Sequence, residues 1–529
     1  MDNFHISFYK WDKSYKKFYE SIKNILKINN PQTYFPILSL YLYFHNTKNS
    51  HKCIDLDRRF IIKEILDVDY LKYYNSNSLI KANIFDQKTK TYEIKELFCK
   101  CMPILDPLHF IMNNYSNIIK RNPLLPSNYN FNTFDKINDM NNSAYIDTFF
   151  GYICSFITIN DINPSFSTFY GSANGIADKY HFDITEEYDD LKNERWFHRN
   201  LGKLFSIDMY VDSDSDSESD SDSSENESLR SNASNASTRS NISEKSLISI
   251  KSSKSNNSFK SNNSSKSNNS YNSSKSCNSS NSSKSSNSSY HDSDYVAILK
   301  GLPVQLFFIE KLDGTLEDFL KVNVHKDLLL SSLLQVAFAI HLLQKKFLFT
   351  HNDLHINNVM YTKTDKTYLY YKFNNIYFKV PTFGYLFKII DFGRSIFTFQ
   401  NKVFFNDTFN KHGEAEGQYT YPNRHLLYMN DNKELITPNF NFDLCRLAIT
   451  ILDELVIEDS EENSEFIDFI KSLTKDKNGE YLYKLDDDFN MYIEIAKNAC
   501  NSRPCNIITH DIFKKFRIKK KNFPKRNYY

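Results

Sequence analysis

From Asp212 to Ser293 the chain is written almost wholly in Ser, Asn, Asp and Lys, opening DSDSDSESDSDSSENES and running on through KSSKSNNSFKSNNSSKSNNS. A stretch of this kind cannot bury enough apolar surface to offset the entropy of ordering it, so it is expected to be disordered. Whatever fold the chain adopts must be assembled from the residues on either side and must tolerate this insertion. Its first half is acidic (Asp212, Asp214, Asp216, Glu218, Asp220, Asp222, Glu225, Glu227), and its second half carries scattered lysines such as Lys245, Lys260 and Lys284. That charge pattern suits a phosphorylatable tether as well as an inert spacer.

The flanking segments differ in kind. Before the insertion, RRFIIKEIL (58–66), NSLIKANIFDQKTKTYEIKELFCKCMPIL (77–105) and SFSTFYGS (165–172) are short β-branched or aromatic runs. They predict antiparallel strands with a hairpin around DQKTKT. One helix is predicted over NNSAYIDTFFGYICSFI (141–157), with Ser143 as its cap. After the insertion, VQLFFIEKL (304–312) reads as a buried strand, and Thr315 caps a helix in TLEDFL. A long amphipathic helix (327–346), a hairpin in MYTKTDKTYLYYKFNNIYFKV, a strand YLFKII and mostly helical patterns follow. Strand-rich first and helix-rich second implies an α+β protein in two lobes.

The chain of 529 residues is 40% hydrophobic with a formal charge of +1, enough to bury a large core and without a whole-chain argument for nucleic acid or membrane. The 44 Phe and 35 Tyr, beside many Asn, Lys and Ile, read as a nucleotide bias of the source genome. Eight scattered cysteines and no opening signal peptide point to a reduced, intracellular protein. Cys99 and Cys101 are expected to pack in a strand, since no His or Cys pair stands at zinc-finger spacing from them. No uncharged apolar run reaches the roughly 18 residues of a spanning helix.

The chemistry concentrates in HNDLHINN (351–358) and IIDFG (389–393). An Asp on a loop after a buried helix can orient a hydroxyl and accept its proton, while an Asn five residues on can hold a metal ion that bridges phosphates. A second Asp at a strand end, followed by glycine, completes such a metal site. Those roles fall to Asp353, Asn358 and Asp391.

These residues resemble the protein kinase superfamily, whose catalytic loop reads H-R-D-L-x-x-x-N and whose metal motif is D-F-G. The resemblance covers roughly 51–210 and 295–500. FCKCMPILDP, NNSAYIDTFFGYICSF, FYGS, VQLFFIEKLDGTLEDFL, THNDLHINNVMY and GEAEGQYTYP look most like a divergent serine/threonine kinase group of giant DNA viruses. It implies a bilobal kinase-like fold. An N-terminal helical extension (1–50) precedes a β-rich lobe and hinge (51–320, interrupted at 212–293), followed by an α-helical lobe (321–500) and a basic tail (501–529). It also implies ATP and Mg²⁺ as cofactors, with Asp353 as base and Asn358 and Asp391 holding the metal. Lys100 in LFCKCM would hold the α- and β-phosphates, and the hinge backbone from Glu310 to Leu312 would bind adenine. As a plain sequence feature Lys100 reads equally as an edge-strand residue. The carboxylate clamping Lys100 is Asp147, one methylene shorter than the expected Glu, or else Glu186 or Glu187. Asp443 resembles the buried Asp that bonds the catalytic-loop backbone, and otherwise reads as a helix-start acid.

Several positions depart from the family pattern. The first glycine is Gly151, so no glycine-rich loop covers phosphates; the region near YYNSNSLIKAN is left for that role. Asn352 stands where the family has Arg, which removes the cation that reads an activation-loop phosphate. His355 takes the place of a Lys and, mostly neutral at pH 7, would touch the γ-phosphate weakly. The hairpin between Asp353 and Asp391 is an insertion. No A-P-E follows, and GEAEGQYTYP (413–422) would face the substrate. The tail FKKFRIKKKNFPKRNYY, basic with interleaved aromatics, reads as a solvated terminal helix rather than as a clear nucleic-acid site.

The function expected is transfer of the ATP γ-phosphate to Ser or Thr of a protein substrate, in host cytoplasm or virion, without membrane attachment. A catalytically silent scaffold of the same fold is the second reading, and a small-molecule phosphotransferase the third.

Overall fold

The computed structural model describes residues 6, 8–10, 15–41, 54–70, 76–119, 124–127, 134–211, 246–249, 293–322, 325–410, 413–420, 436–455, 464–485, 489–526 and 528–529. The insertion expected to be disordered lies outside these residues, apart from Ser246–Ser249 and Ser293. Of the stretch 73–83, where phosphates were expected to be covered, 73–75 also lie outside them, whereas 78–83 form part of a strand.

The first part is built on a six-stranded antiparallel sheet. Helix α1 (Tyr15–Asn24) leads into edge strand β1 (Ile28–Gln32), so the expected helical extension also contributes a strand. A meander of β2 (Phe60–Tyr70), β3 (Ser78–Asp86) and β4 (Thr91–Pro103) follows. The predicted hairpin turns where expected: Lys90 N donates to Asp86 O at 2.8 Å, with Lys90 at φ 61°. Helix α2 (Ser143–Ile159) then crosses to β5 (Phe169–Ala177). Its cap is Asn142 rather than Ser143, because the Asn142 side chain accepts from Ala144 N at 3.1 Å. Strands β6 (Tyr180–Asp183), β7 (Phe205–Val211), β8 (Ser293–Leu299) and β9 (Leu302–Glu310) complete this part. The spatial order of the large sheet is β1-β5-β9-β4-β3-β2. Central β9 is buried on both faces, which accounts for its unbroken apolar run.

The insertion leaves from β7 and returns through β8, and Val211 and Ser293 face each other in register. Its ends are therefore already closed by the ladder, and since closure entropy grows only slowly with length, a long excursion there costs the fold little. Ser246–Ser249 pairs with the other edge of β7.

Helices dominate after residue 315. Thr315 caps α3 (Leu316–Lys321) as the sequence predicts, and Asp318 completes a capping box with it. Helix α4 (Lys326–Phe347) is long and apolar enough to cross a bilayer by length and composition, but 83% of its most apolar window is buried within the protein. Small sheets intervene. β10 (Val359–Lys363) pairs with β13 (Tyr385–Ile389), β11 (Tyr368–Phe373) with β12 (Ile376–Pro381), and β14 (Ile396–Phe399) with β15 (Lys402–Phe405). Helices α5 (Phe442–Leu455), α6 (Ser464–Leu473), α7 (Phe489–Asn498) and α8 (Pro504–Thr509) follow. The protein is thus a mixed α+β molecule. Phenylalanine fills its centre: Phe150 of α2 stacks on Phe349 at 4.6 Å and meets Phe392 edge-on at 5.2 Å.

Candidate active site

The loop 351–358 is held from below by one buried carboxylate. Asp443, at the start of α5 and fully buried, accepts from His351 N at 2.9 and 3.0 Å and from Asn352 N at 3.0 Å. The apolar face of α5 carries Asp443 into the core, where two donated N–H groups satisfy a carboxylate that could not otherwise stay there. The ring Nε2 of His351 reaches Ile390 O at 2.9 Å, and Ile390 N donates to Asn358 O at 3.1 Å. The two sequence motifs are therefore pinned backbone to backbone. Asn352 sits at φ 66°, a conformation that Asn tolerates better than most side chains. Its amide donates to Arg394 O at 2.8 Å and its oxygen accepts from Tyr419 OH at 2.7 Å, so it staples the segment expected to face the substrate.

Lys100 lies on β4 beneath α2. Its Nζ is 2.7 Å from Asp147 Oδ2 and 2.9 Å from Asp391 Oδ1, and the other Asp147 oxygen accepts from Phe392 N at 2.8 Å. One carboxylate thus ties the lysine to the DFG backbone. Glu186 and Glu187, the other candidates, are exposed and take no part. The short aspartate reaches Lys100 from a helix packed tightly against the sheet. A Cβ on Gly151, four residues along the same face of α2, would lie 2.4 Å from the Phe307 ring, and Phe307 is the direct cross-strand partner of Lys100.

The charges in this cluster shape one another. Burial works against the Asp391 carboxylate, but the Lys100 ammonium outweighs it and holds the carboxyl down at about 2. Burial likewise opposes the charge on Lys100, and the two aspartates override it, keeping the amine above its usual range. At Asp147 burial is the strongest influence and pushes the carboxyl up, with Lys100 opposing. Asp391 adopts φ 61°, and Gly393 N donates to its Oδ1 at 3.4 Å.

Asn358 donates to Asp353 O at 2.9 Å and to His355 Nε2 at 3.0 Å. Burial lowers the His355 pKa, which keeps the imidazole neutral and able to accept that bond. The His therefore braces Asn358. Asp353 Oδ1 accepts from Tyr492 OH at 3.2 Å, and Arg394 Nη1 lies 3.6 Å away. Arg394 also approaches Glu414 at 3.5 Å. At the end of β9, Glu310 uses its side chain structurally: Oε1 pairs with buried Lys388 at 2.6 Å and Oε2 accepts from Thr168 N at 2.8 Å. Its N–H is given to Thr168 O at 3.0 Å, so from the expected adenine stretch Lys311 and half-buried Leu312 remain.

The structure thus brings Lys100, Asp147 and Asp391 into one cluster, and Asp353, His355 and Asn358 into a second joined to it through Ile390. Sequence reasoning missed Arg394, Tyr492, Lys388 and the role of Asn352. Arg394 follows DFG directly and was within reach; Tyr492, on a helix 139 residues beyond Asp353, carried no signal. Cys99 and Cys101 are buried free thiols in β4. Among the described residues no three His, Cys, Asp or Glu side chains are grouped to hold a metal.

No family model matches the chain. Over 84 residues it is 42% identical to the uncharacterized protein 098R of Invertebrate iridescent virus 6. The match takes in 15% of this chain and 14% of that viral protein, so it places a viral relative beside the chain over a short stretch only.

Proposed function

We propose that the chain is an ATP- and Mg²⁺-dependent protein kinase that transfers the γ-phosphate to Ser or Thr hydroxyls of a protein substrate, with a bilobal kinase-like arrangement divided near residue 320. The observation that carries this reading is the Lys100–Asp147–Asp391 cluster. A half-buried lysine is aimed from a central strand and clamped from a helix, and the same helix carboxylate holds the backbone after Asp391. That is the lysine–acid and DFG coupling phosphoryl transfer requires.

The donors present suit a hard divalent cation. Asp391 keeps Oδ2 beyond its lysine-bound Oδ1, and Asn358 keeps its amide oxygen while its nitrogen is occupied. Two protein oxygens completed by phosphates and water are a normal Mg²⁺ shell. Bound there, the metal would neutralise charge on the β- and γ-phosphates. Lys100 would hold the α- and β-phosphates. Asp353, at the loop edge and partly open to solvent, would orient the acceptor hydroxyl and take its proton as the oxygen bonds to the γ-phosphorus and ADP leaves.

One observation favours the scaffold reading instead: Asp353 Oδ1 already receives Tyr492 OH and lies near Arg394, so an incoming hydroxyl would compete. Incorporation of label from γ-labelled ATP with Mg²⁺ separates the two. Transfer to casein-like acidic protein is expected from the intact chain. A fall of at least ~10²-fold is expected in Asp353→Asn, and a comparable loss in Asp391→Ala. Label unaffected by both substitutions would overturn the assignment of roles. No label, together with no Mg-ATP-dependent rise in melting temperature, would leave the scaffold.

A further inference from the structure

The basic tail is not the solvated helix its sequence suggests. Arg517–Ile518 forms a third strand beside β12, and Tyr529 bonds along the free edge of β11, with its N donating to Tyr370 O at 2.7 Å and its O accepting from Lys372 N at 2.9 Å. The hairpin buries one face, where Tyr371 stacks on Phe338 of α4 at 4.2 Å. The other face is turned outward, and the register sets aromatic and basic side chains opposite each other on it, Tyr370 across from Lys379 and Lys372 across from Tyr377. Lys379 Nζ stands 3.8 Å from the ring centre of Tyr368, which is 41% exposed. The tail adds Phe523, 4.8 Å from Tyr377 and 6.0 Å from Tyr370, and then Tyr528, 43% exposed. Lys519, Lys520, Lys521 and Lys525 border it, all exposed. Among the described residues neither these four nor Lys372 and Lys379 make an ion pair with a carboxylate.

From this geometry we infer that the outer face of the β11–β12 hairpin and the tail bind single-stranded nucleic acid. Cations without carboxylate partners on one sheet face call for a polyanion. Rings interleaved with those cations call for one that also carries planar groups, because each base offers a face to stack on while its phosphate meets a lysine. An acidic peptide would satisfy the charges and leave the rings unused. The surface shares no residue with the Lys100 cluster, and the inference stands whether or not the chain is a kinase.

The test is fluorescence anisotropy of a labelled sixteen-nucleotide oligo(dT) with the full chain across a salt series. Binding that weakens with salt is expected. Lys372→Glu combined with Lys379→Glu should weaken it at least about tenfold and flatten the salt slope, by ~0.7 for each phosphate no longer neutralised. Tyr368→Ala should weaken it about fivefold, at the lower edge of the range for losing one stacked base, with the slope unchanged. An abasic oligomer of the same length that binds as tightly would overturn the base-stacking assignment. A peptide of residues 212–228 that competes as well as oligo(dT) would assign the face to an acidic segment instead. No binding at 100 µM protein in low salt would overturn the inference outright.

Discussion

A carboxylate shared by two partners sets the behaviour of the proposed site. Asp147 receives Lys100 on one oxygen and Phe392 N on the other, so Lys100 and the backbone after Asp391, the groups proposed to hold phosphate and metal, are oriented by one side chain. His355 plays a similar bracing part through Asn358, and it does so only while neutral, because a protonated ring would present an N–H where it now accepts one. His355→Ala is expected to raise the KM for Mg-ATP several-fold and to lower kcat less. A drop in kcat of ~10²-fold with KM unchanged would instead place the imidazole on the reacting phosphate, as the sequence alone suggested. The identities of Lys100, Asp353, Asn358 and Asp391 were legible because each lies in a short motif. The partners of Glu310 were not, since Lys388 and Thr168 reach it from separate strands and loops.

Among the elements, α2 decides whether the cluster closes. Its only glycine faces Phe307, and a methyl group added there would lie 2.4 Å from the ring, so the helix or the ring has to shift. Gly151→Ala is therefore expected to cost about 1–3 kcal/mol of stability through overpacking. It should also cut phosphoryl transfer more than that loss explains, because Asp147 rides the same face. Gly151→Ala with full activity at temperatures where it stays folded would show that α2 does not position the clamp. Most elements could be read from periodicity and capping signals, including α2, α4, β9 and the cap at Thr315. The tail could not. Its lysines and aromatics have no helical or strand period of their own, and it takes its form from the hairpin edge it covers.

At the scale of the whole molecule, three histidines among the described residues couple stability to pH. Burial is the chief cause that lowers the pKa of His181, His341 and His355 below the ordinary 6.5. Each takes up a proton more readily unfolded than folded, so their contribution is complete above about pH 6.5 and is lost as the pH falls below it. The urea midpoint is expected to drop between pH 7.5 and 5.5, and to drop less in His341→Gln. A midpoint that is flat or rises toward pH 5.5 would refute this account. By itself the sequence determined the mixed α+β character, the place of the insertion and the residues with chemical potential, because composition, period and short motifs are local properties of a chain. Only the tertiary structure decided that a short aspartate reaches Lys100, that His355 braces Asn358, and that the tail joins the hairpin. Those outcomes depend on the approach of a helix to a sheet, on burial, and on an open strand edge, none of which a linear spacing records.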